Sequence, residues 1–227
     1  RDLHLSIRRQ RQMCIRDRYN EINELSNKFA NALIKLGVKK GDRVALLLPN
    51  IPQFPIALYG ILKAGAISVG TNFLYTSAEI ESQLRDAKPK IVIACTDLVK
   101  KPIERDLYQG FHETRDNLDI EKVITTSVTE FLPGIKKRLA FVKVKKRKFD
   151  NTIDFMEVLN SGDNTRPENI SVSDDIAALQ YTGGTTGKSK GAMLTHKNII
   201  TEVEMVCEWV KLRENNDTAL IAVSYTL

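Results

Sequence analysis

The residues best suited to chemistry run from Leu179 to His196. Gly183, Gly184, Gly187 and Gly191 alternate there with Thr182, Thr185, Thr186 and Thr195, and Lys188 and Lys190 follow closely. Glycines let backbone N–H groups approach an anion, and hydroxyls and ammonium groups add donors and charge. This is the chemistry of a phosphate cradle. A Gly/Thr-rich hairpin turn with solvated lysines is the plain alternative. The flanking runs, Ile176 to Tyr181 and Ala192 to Leu194, read as strands, and Thr195 reads as the cap of a helix reaching about Val210.

The spacing excludes the commonest phosphate loop. A Walker A motif, G-x-x-x-x-G-K-[ST], would end at Gly187-Lys188-Ser189, but its first glycine would fall at Thr182. The run instead resembles the phosphate loop of the acyl-adenylate-forming ligases. That pattern has a hydrophobic residue, two free positions, small-small-Gly-Thr-Thr-Gly, a free position, a small or apolar residue and then lysine. Leu179 through Lys190 fits throughout, with Lys188 at a free position and Lys190 as the lysine of the motif. The resemblance implies that Thr182, Gly183, Gly184, Thr185, Thr186, Gly187 and Lys190 hold the β- and γ-phosphates of ATP, accompanied by Mg²⁺. It implies no metal ligand among the protein's own residues.

Pro49-Asn50-Ile51-Pro52-Gln53-Phe54-Pro55, Ala64-Gly65-Ala66, and Phe131-Leu132-Pro133 ahead of a lysine-rich run are similar to the bacterial long-chain fatty acid–CoA ligases. Gly70 and Phe73 depart from that pattern, in which asparagine and proline are usual. The resemblance implies activation of a fatty acid by ATP to acyl-AMP, then transfer to coenzyme A. Another acyl-CoA synthetase or adenylating enzyme of the superfamily is the alternative. The adenine- and ribose-binding motifs and the catalytic lysine of the family have no counterpart in the sequence. No catalytic residue is therefore expected here, and the chain alone is expected to be inactive.

The elements that must position the loop are legible by periodicity. Ile22, Leu25, Phe29, Leu33 and Leu36 recur at helical spacing over Asn20 to Leu36, and Gly37 follows as a stop. A strand over Arg43 to Leu48, a helix from Pro52 to Lys63 and a strand over Ala66 to Val69 come next. A helix over Ser77 to Ala87 is capped by Ser77, and strands follow at Lys90 to Ala94, Val123 to Thr126 and Ala219 to Ala222. Strands alternating with helices predict an α/β fold, and apolar strands such as Ala45-Leu46-Leu47-Leu48 predict a mostly parallel sheet covered on both faces. The resemblance implies that this is a partial N-terminal domain of the adenylate-forming ligase fold.

The chain has 227 residues and a formal net charge of +6. Met13-Cys14-Ile15-Arg16-Asp17-Arg18 is the translation of a common sequencing-library transposon end, and Val223-Ser224-Tyr225-Thr226 is a translation of its reverse complement. Residues 1–18 and 223–227 are thus expected to be foreign to the gene, leaving 19–222 as a partial AMP-binding domain; a continuous genomic reading frame through Met13–Arg18 would refute this. Residues 1–18 hold six arginines and two aspartates, so the remainder carries +2. A nucleic-acid partner then loses its electrostatic support. Cys14, Cys95 and Cys207 lack metal or disulfide spacing, which suits the cytoplasm.

Pro133 to Phe149 carries eight basic residues and no acid, with Ile135, Leu139, Phe141, Val142, Val144 and Phe149 between them. Lys136–Lys148 therefore suits an anionic membrane at the inner face of the cell membrane or an acyl-CoA phosphate, and a non-catalytic membrane-binding module is the rival reading. The solvated face of a connecting helix accounts for the pattern equally. His196 is expected to be a first-turn helix residue, and His112 a surface residue without partners.

Overall fold

A computed structural model describes residues 19–72, 75–99, 105–106, 109–112, 114–132, 144–146, 149–168, 171–182 and 190–211. Helix α1 (Tyr19–Lys35) buries Phe29, Ala30, Ala32 and Leu33. It ends where Gly37 takes φ +93°, and the Val38 N–H returns to the Leu33 carbonyl at 3.0 Å. That left-handed closing turn favours glycine because a Cβ would strain it. Strand β1 (Arg43–Leu47), helix α2 (Gln53–Lys63) and strand β2 (Ile67–Gly70) follow, then helix α3 (Ser77–Ala87) and strand β3 (Ile91–Cys95).

Thr76, not Ser77, caps α3. The Thr76 hydroxyl accepts from the Glu79 N–H at 3.4 Å, and Glu79 Oε2 accepts from the Thr76 N–H at 2.8 Å. The reciprocal box needs a side-chain acceptor three residues after the cap; Thr76 has Glu79 there, whereas Ser77 has Ile80.

Beyond β3 lie strands β4 (Asp97–Val99) and β5 (Arg105–Asp106), helix α4 (Gln109–His112), strands β6 (Lys122–Thr126), β7 (Val144–Lys146) and β8 (Ile153–Asp154), and helix α5 (Phe155–Ser161). Strands β9 (Ile176–Thr182) and β10 (Lys190–Thr195) lead into helix α6 (His196–Val210). The main sheet has the order β10-β9-β2-β1-β3-β6-β8. Its pairings are parallel except that of β9 with β10. The expected α/β fold with a mostly parallel sheet is therefore present.

Alternate residues of the central strands go to opposite faces. Val44, Leu46, Ile91 and Ile93 join α1, α2 and α5 in one core through Phe29, Leu33, Phe54, Ile61 and Phe155. Ala45, Leu47, Val92 and Ala94 join α3 and α4 in the other, through Ile80, Leu84 and Phe111. Burial on both faces is why these strands read as unbroken apolar runs.

A second sheet, β5-β4-β7, is antiparallel and pairs Asp97 with Lys146. The basic segment therefore contributes a strand at Val144–Lys146, where a connecting helix was the plain expectation. The rest of Lys136–Lys148 lies outside the described residues, as does the strand expected at Ala219 to Ala222. Among the described residues no helix is long and apolar enough to cross a membrane.

At the ends of β3 and β6 the Asp97 carboxylate is buried. Its Oδ2 accepts from the Val128 N–H at 2.6 Å and the Ser127 hydroxyl at 3.2 Å, while Oδ1 has no partner. Burial pushes its pKa up, opposed in part by the Val128 N–H. The native state thus holds a proton more tightly than the unfolded chain. The associated stability is complete below the ordinary carboxylate range and is lost as pH rises through the native pKa. Asp97→Asn removes the titration, so urea denaturation from about pH 4 to about pH 8 is expected to show the wild type losing stability relative to the variant as pH rises. Parallel curves for the two proteins would refute this.

Candidate functional site

The candidate loop leaves the sheet at its carboxyl edge. Strand β9 lies parallel to β2, with Val69 opposite Leu179 and Gly70 opposite Gln180. Strand β10 returns antiparallel, with Lys190 opposite Thr182 and Gly191 opposite Tyr181. Thr182 ends β9 and Lys190 begins β10, so residues 183–189 start and finish on one rung of a ladder. The carboxyl edge of a parallel sheet is where ligands of such folds gather, because strand ends and following loops converge there.

Of the seven residues assigned to phosphate, Thr182 and Lys190 are therefore paired across the root. Gly183, Gly184, Thr185, Thr186 and Gly187 lie outside the described residues. Lys190 is exposed, and among the described residues no carboxylate forms an ion pair with it. Its charge is available to an anion.

The root is fastened at several points that local spacing could not reveal. Tyr181 is 6% exposed and packs in the α3 core. Its hydroxyl donates to Asp86 Oδ2 at 2.6 Å. Burial, followed by the bond to Asp86 and its charge, pushes the phenol pKa up and keeps it protonated. Gly191 lies against the same ring: a Cβ there would stand 3.0 Å from Tyr181 Cζ.

At the other end of β9, Lys40 Nζ meets Asp175 Oδ2 at 2.7 Å. The Lys40 bond lowers the Asp175 pKa, helped by the Val172 N–H. The Asp175 carbonyl accepts the His196 N–H at 3.0 Å, and the Ser173 carbonyl accepts the Lys197 N–H at 2.8 Å. Thr195 caps α6 and forms a reciprocal box with Asn198. His196 is the first residue of that helix, the structural position expected of it. His112 is exposed but not partnerless: its ring centroid lies 4.9 Å from that of Phe149. The partner is 37 positions away in sequence, beyond any local pattern.

The sequence matches the family described as AMP-binding enzyme over residues 13–226. The chain belongs to this family. Among AMP-binding enzymes it is 41% identical, over 197 residues, to the long-chain-fatty-acid–CoA ligase of Salmonella typhimurium, covering 83% of this chain and 34% of that protein. It is 39% identical to the ligase of the same name from Bacillus subtilis, covering 77% of this chain and 31% of that protein. The crystal structure of a long-chain-fatty-acid-CoA ligase from Archaeoglobus fulgidus superposes with a TM-score of 0.64 at 27% identity, covering 85% of this chain and 32% of that one. The chain thus spans about a third of the length of these AMP-binding enzymes.

Proposed function

We propose that this chain is the phosphate-binding, N-terminal part of a cytoplasmic fatty acid–CoA ligase, with residues 19–222 supplying that part. The observation that carries the reading is the closed root of the Gly/Thr hairpin. It stands at the carboxyl edge of the sheet with Lys190 unpaired among the described residues, in a chain 41% identical to a long-chain-fatty-acid–CoA ligase.

The reaction has two steps. A fatty acid carboxylate oxygen attacks the α-phosphate of ATP, the bond to the bridging oxygen breaks, and pyrophosphate leaves from acyl-AMP. The thiol of coenzyme A then attacks the acyl carbon, loses its proton and displaces AMP. In the first step negative charge accumulates on the departing pyrophosphate. The donor set fits that charge: Thr182, Thr185 and Thr186 offer hydroxyls and N–H groups, Gly183, Gly184 and Gly187 offer N–H groups, and Lys190 offers an ammonium. Donors placed before the reaction stabilise developing charge without reorganising at that moment. Mg²⁺ bound with the nucleotide would neutralise further phosphate charge. A glycine-rich loop also suits the release of pyrophosphate.

The full-length gene product is expected to catalyse ATP–pyrophosphate exchange that depends on a long-chain fatty acid, and to form acyl-CoA when coenzyme A is added. The 227-residue chain alone is expected to do neither. Exchange dependent on another acid class would move the protein elsewhere in the superfamily, and acyl-CoA formation by the chain alone would overturn its assignment as a part. Among the described residues no structural observation favours the non-catalytic membrane module.

A further inference from the structure

We infer that Tyr181 and Asp86 form a latch that sets the position of Thr182 and Lys190, the root of the phosphate hairpin, making Tyr181 a positioning residue for ATP. The inference rests on the assignment of residues 182–187 and Lys190 to the phosphates.

Apart from the ladder with β2, the other fastenings of the hairpin lie at the far end of β9. Strand β10 is at the edge of the main sheet, and β9 is held to the body by pairing with Ser68, Val69 and Gly70 of β2. The latch adds a side-chain restraint one rung before the last rung of the root, that of Thr182 with Lys190. Tyr181 immediately precedes Thr182, and Gly191 opposite it immediately follows Lys190. The Tyr181 ring lies against the backbone of β10, with Cζ, Cε2 and the hydroxyl oxygen 3.0, 3.1 and 3.3 Å from where a Gly191 Cβ would stand. One ring therefore supports both strands of the root, and each phosphate-assigned root residue is one peptide away.

The other half of the latch is anchored. Asp86 sits in the last turn of α3. Gln83, on the same helix, donates from Nε2 to the Gly70 carbonyl at 2.8 Å, and Gly70 pairs with Gln180 beside Tyr181. Arg43 at the start of β1 donates from Nε to the Ala87 carbonyl at 2.9 Å and from an Nη to the Lys88 carbonyl at 3.1 Å. Helix α3 is thus fastened to two strands, and the 2.6 Å bond from Tyr181 to Asp86 passes that restraint to the hairpin. Among the described residues Asp86 makes no ion pair, while its neighbour Arg85 is engaged by Glu81 at 2.5 Å. The Asp86 carboxylate is left to the phenol.

The latch does not touch substrate, so its loss should appear in the placement of Lys190 rather than in the chemistry. The test uses Tyr181→Phe, which keeps the buried ring, Asp86→Asn and the double variant, all in the full-length gene product. Initial rates are measured with ATP and fatty acid varied separately. The KM for ATP is expected to rise about tenfold in each single variant, with the KM for fatty acid within about twofold of the wild type. The double variant should be no worse than either single one, because both remove the same bond.

Unchanged ATP kinetics, equal rises in both KM values accompanied by a lower melting temperature, or multiplying effects in the double variant would each overturn the latch. Lys190→Ala in the same assay separates the two claims. If it leaves adenylation intact, the phosphate assignment fails. If it impairs adenylation while Tyr181→Phe does not change the KM for ATP, the latch alone fails.

Discussion

Lys190→Ala in the full-length gene product is expected to lower the rate of acyl-adenylate formation about 100-fold, and Thr185→Ala about tenfold, whereas Lys188→Ala stays within about twofold of the wild type. The contrast between two lysines two residues apart tests the register of the loop. A Walker reading would put the weight on Lys188, and the acyl-adenylate reading puts it on Lys190. The structure adds a reason for the second choice. Lys190 opens β10 on the rung it shares with Thr182, so its backbone is placed by the sheet. A cation so placed is organised before pyrophosphate charge develops, which is where electrostatic catalysis is largest. A 100-fold loss corresponds to about 2.7 kcal/mol of transition-state stabilisation, reasonable for the loss of one preorganised charge donor. Stopped-flow measurement of pyrophosphate release isolates this step from thioester formation. A Lys188→Ala loss equal to or larger than that of Lys190→Ala would reverse the register.

The parts of the fold visible in the sequence were those governed by near neighbours. Phe29 and Leu33 recur at helical spacing, so α1 could be drawn within a residue or two of its observed ends. Leu46 and Leu47 form an unbroken apolar run because the sheet is covered on both sides. Thr195 and Asn198 lie three residues apart and carry their cap with them. What sequence reasoning missed depends on distant partners or on weak local signals. Strands β4, β5 and β7 have at most three residues each, and β7 includes Lys145 and Lys146, so no apolar alternation marks it. Strand β8 has two residues, and the start of α5 depends on Asp154 accepting the Met156 N–H at 2.9 Å. The candidate loop was legible because its chemistry lies in one contiguous run. The Tyr181–Asp86 bond was not, since 95 positions separate its ends. Gly191 showed only as a further glycine of the candidate run, just before the strand expected at Ala192 to Leu194; the ring that lies against it became apparent in the structure.

Phe29→Ala is expected to destabilise the fold by about 4 kcal/mol. Phe29 is fully buried and stacks on Phe155 with centroids 4.7 Å apart and planes 22° apart. Its ring also presses on α2: a Cβ at Gly60 would stand 2.9 Å from Phe29 Cδ1. The side chain thus joins α1, α2 and α5 at one point. Truncation leaves a void among three helices, and Gly60, which has no side-chain carbon, cannot fill it. The Phe155 ring loses its stacking partner as well, a contact worth about 1 kcal/mol beyond burial. Small domains hold about 5–15 kcal/mol in total, so the variant loses a large share of its margin. Urea denaturation should show a lower midpoint with little change in slope, and a loss below about 1 kcal/mol would mean that the three helices close over the void. The site should respond differently. Phe29 lies on the face of the sheet opposite the core that holds Tyr181. In the full-length gene product at a temperature where Phe29→Ala remains folded, the KM for ATP is therefore expected to stay within about twofold of the wild type. Tyr181→Phe should show the inverse pattern, with a small cost in stability and a specific cost in ATP binding. A Phe29→Ala variant that is folded yet shifted in its KM for ATP as far as Tyr181→Phe would mean that the hairpin is positioned by the whole sheet, not by its latch.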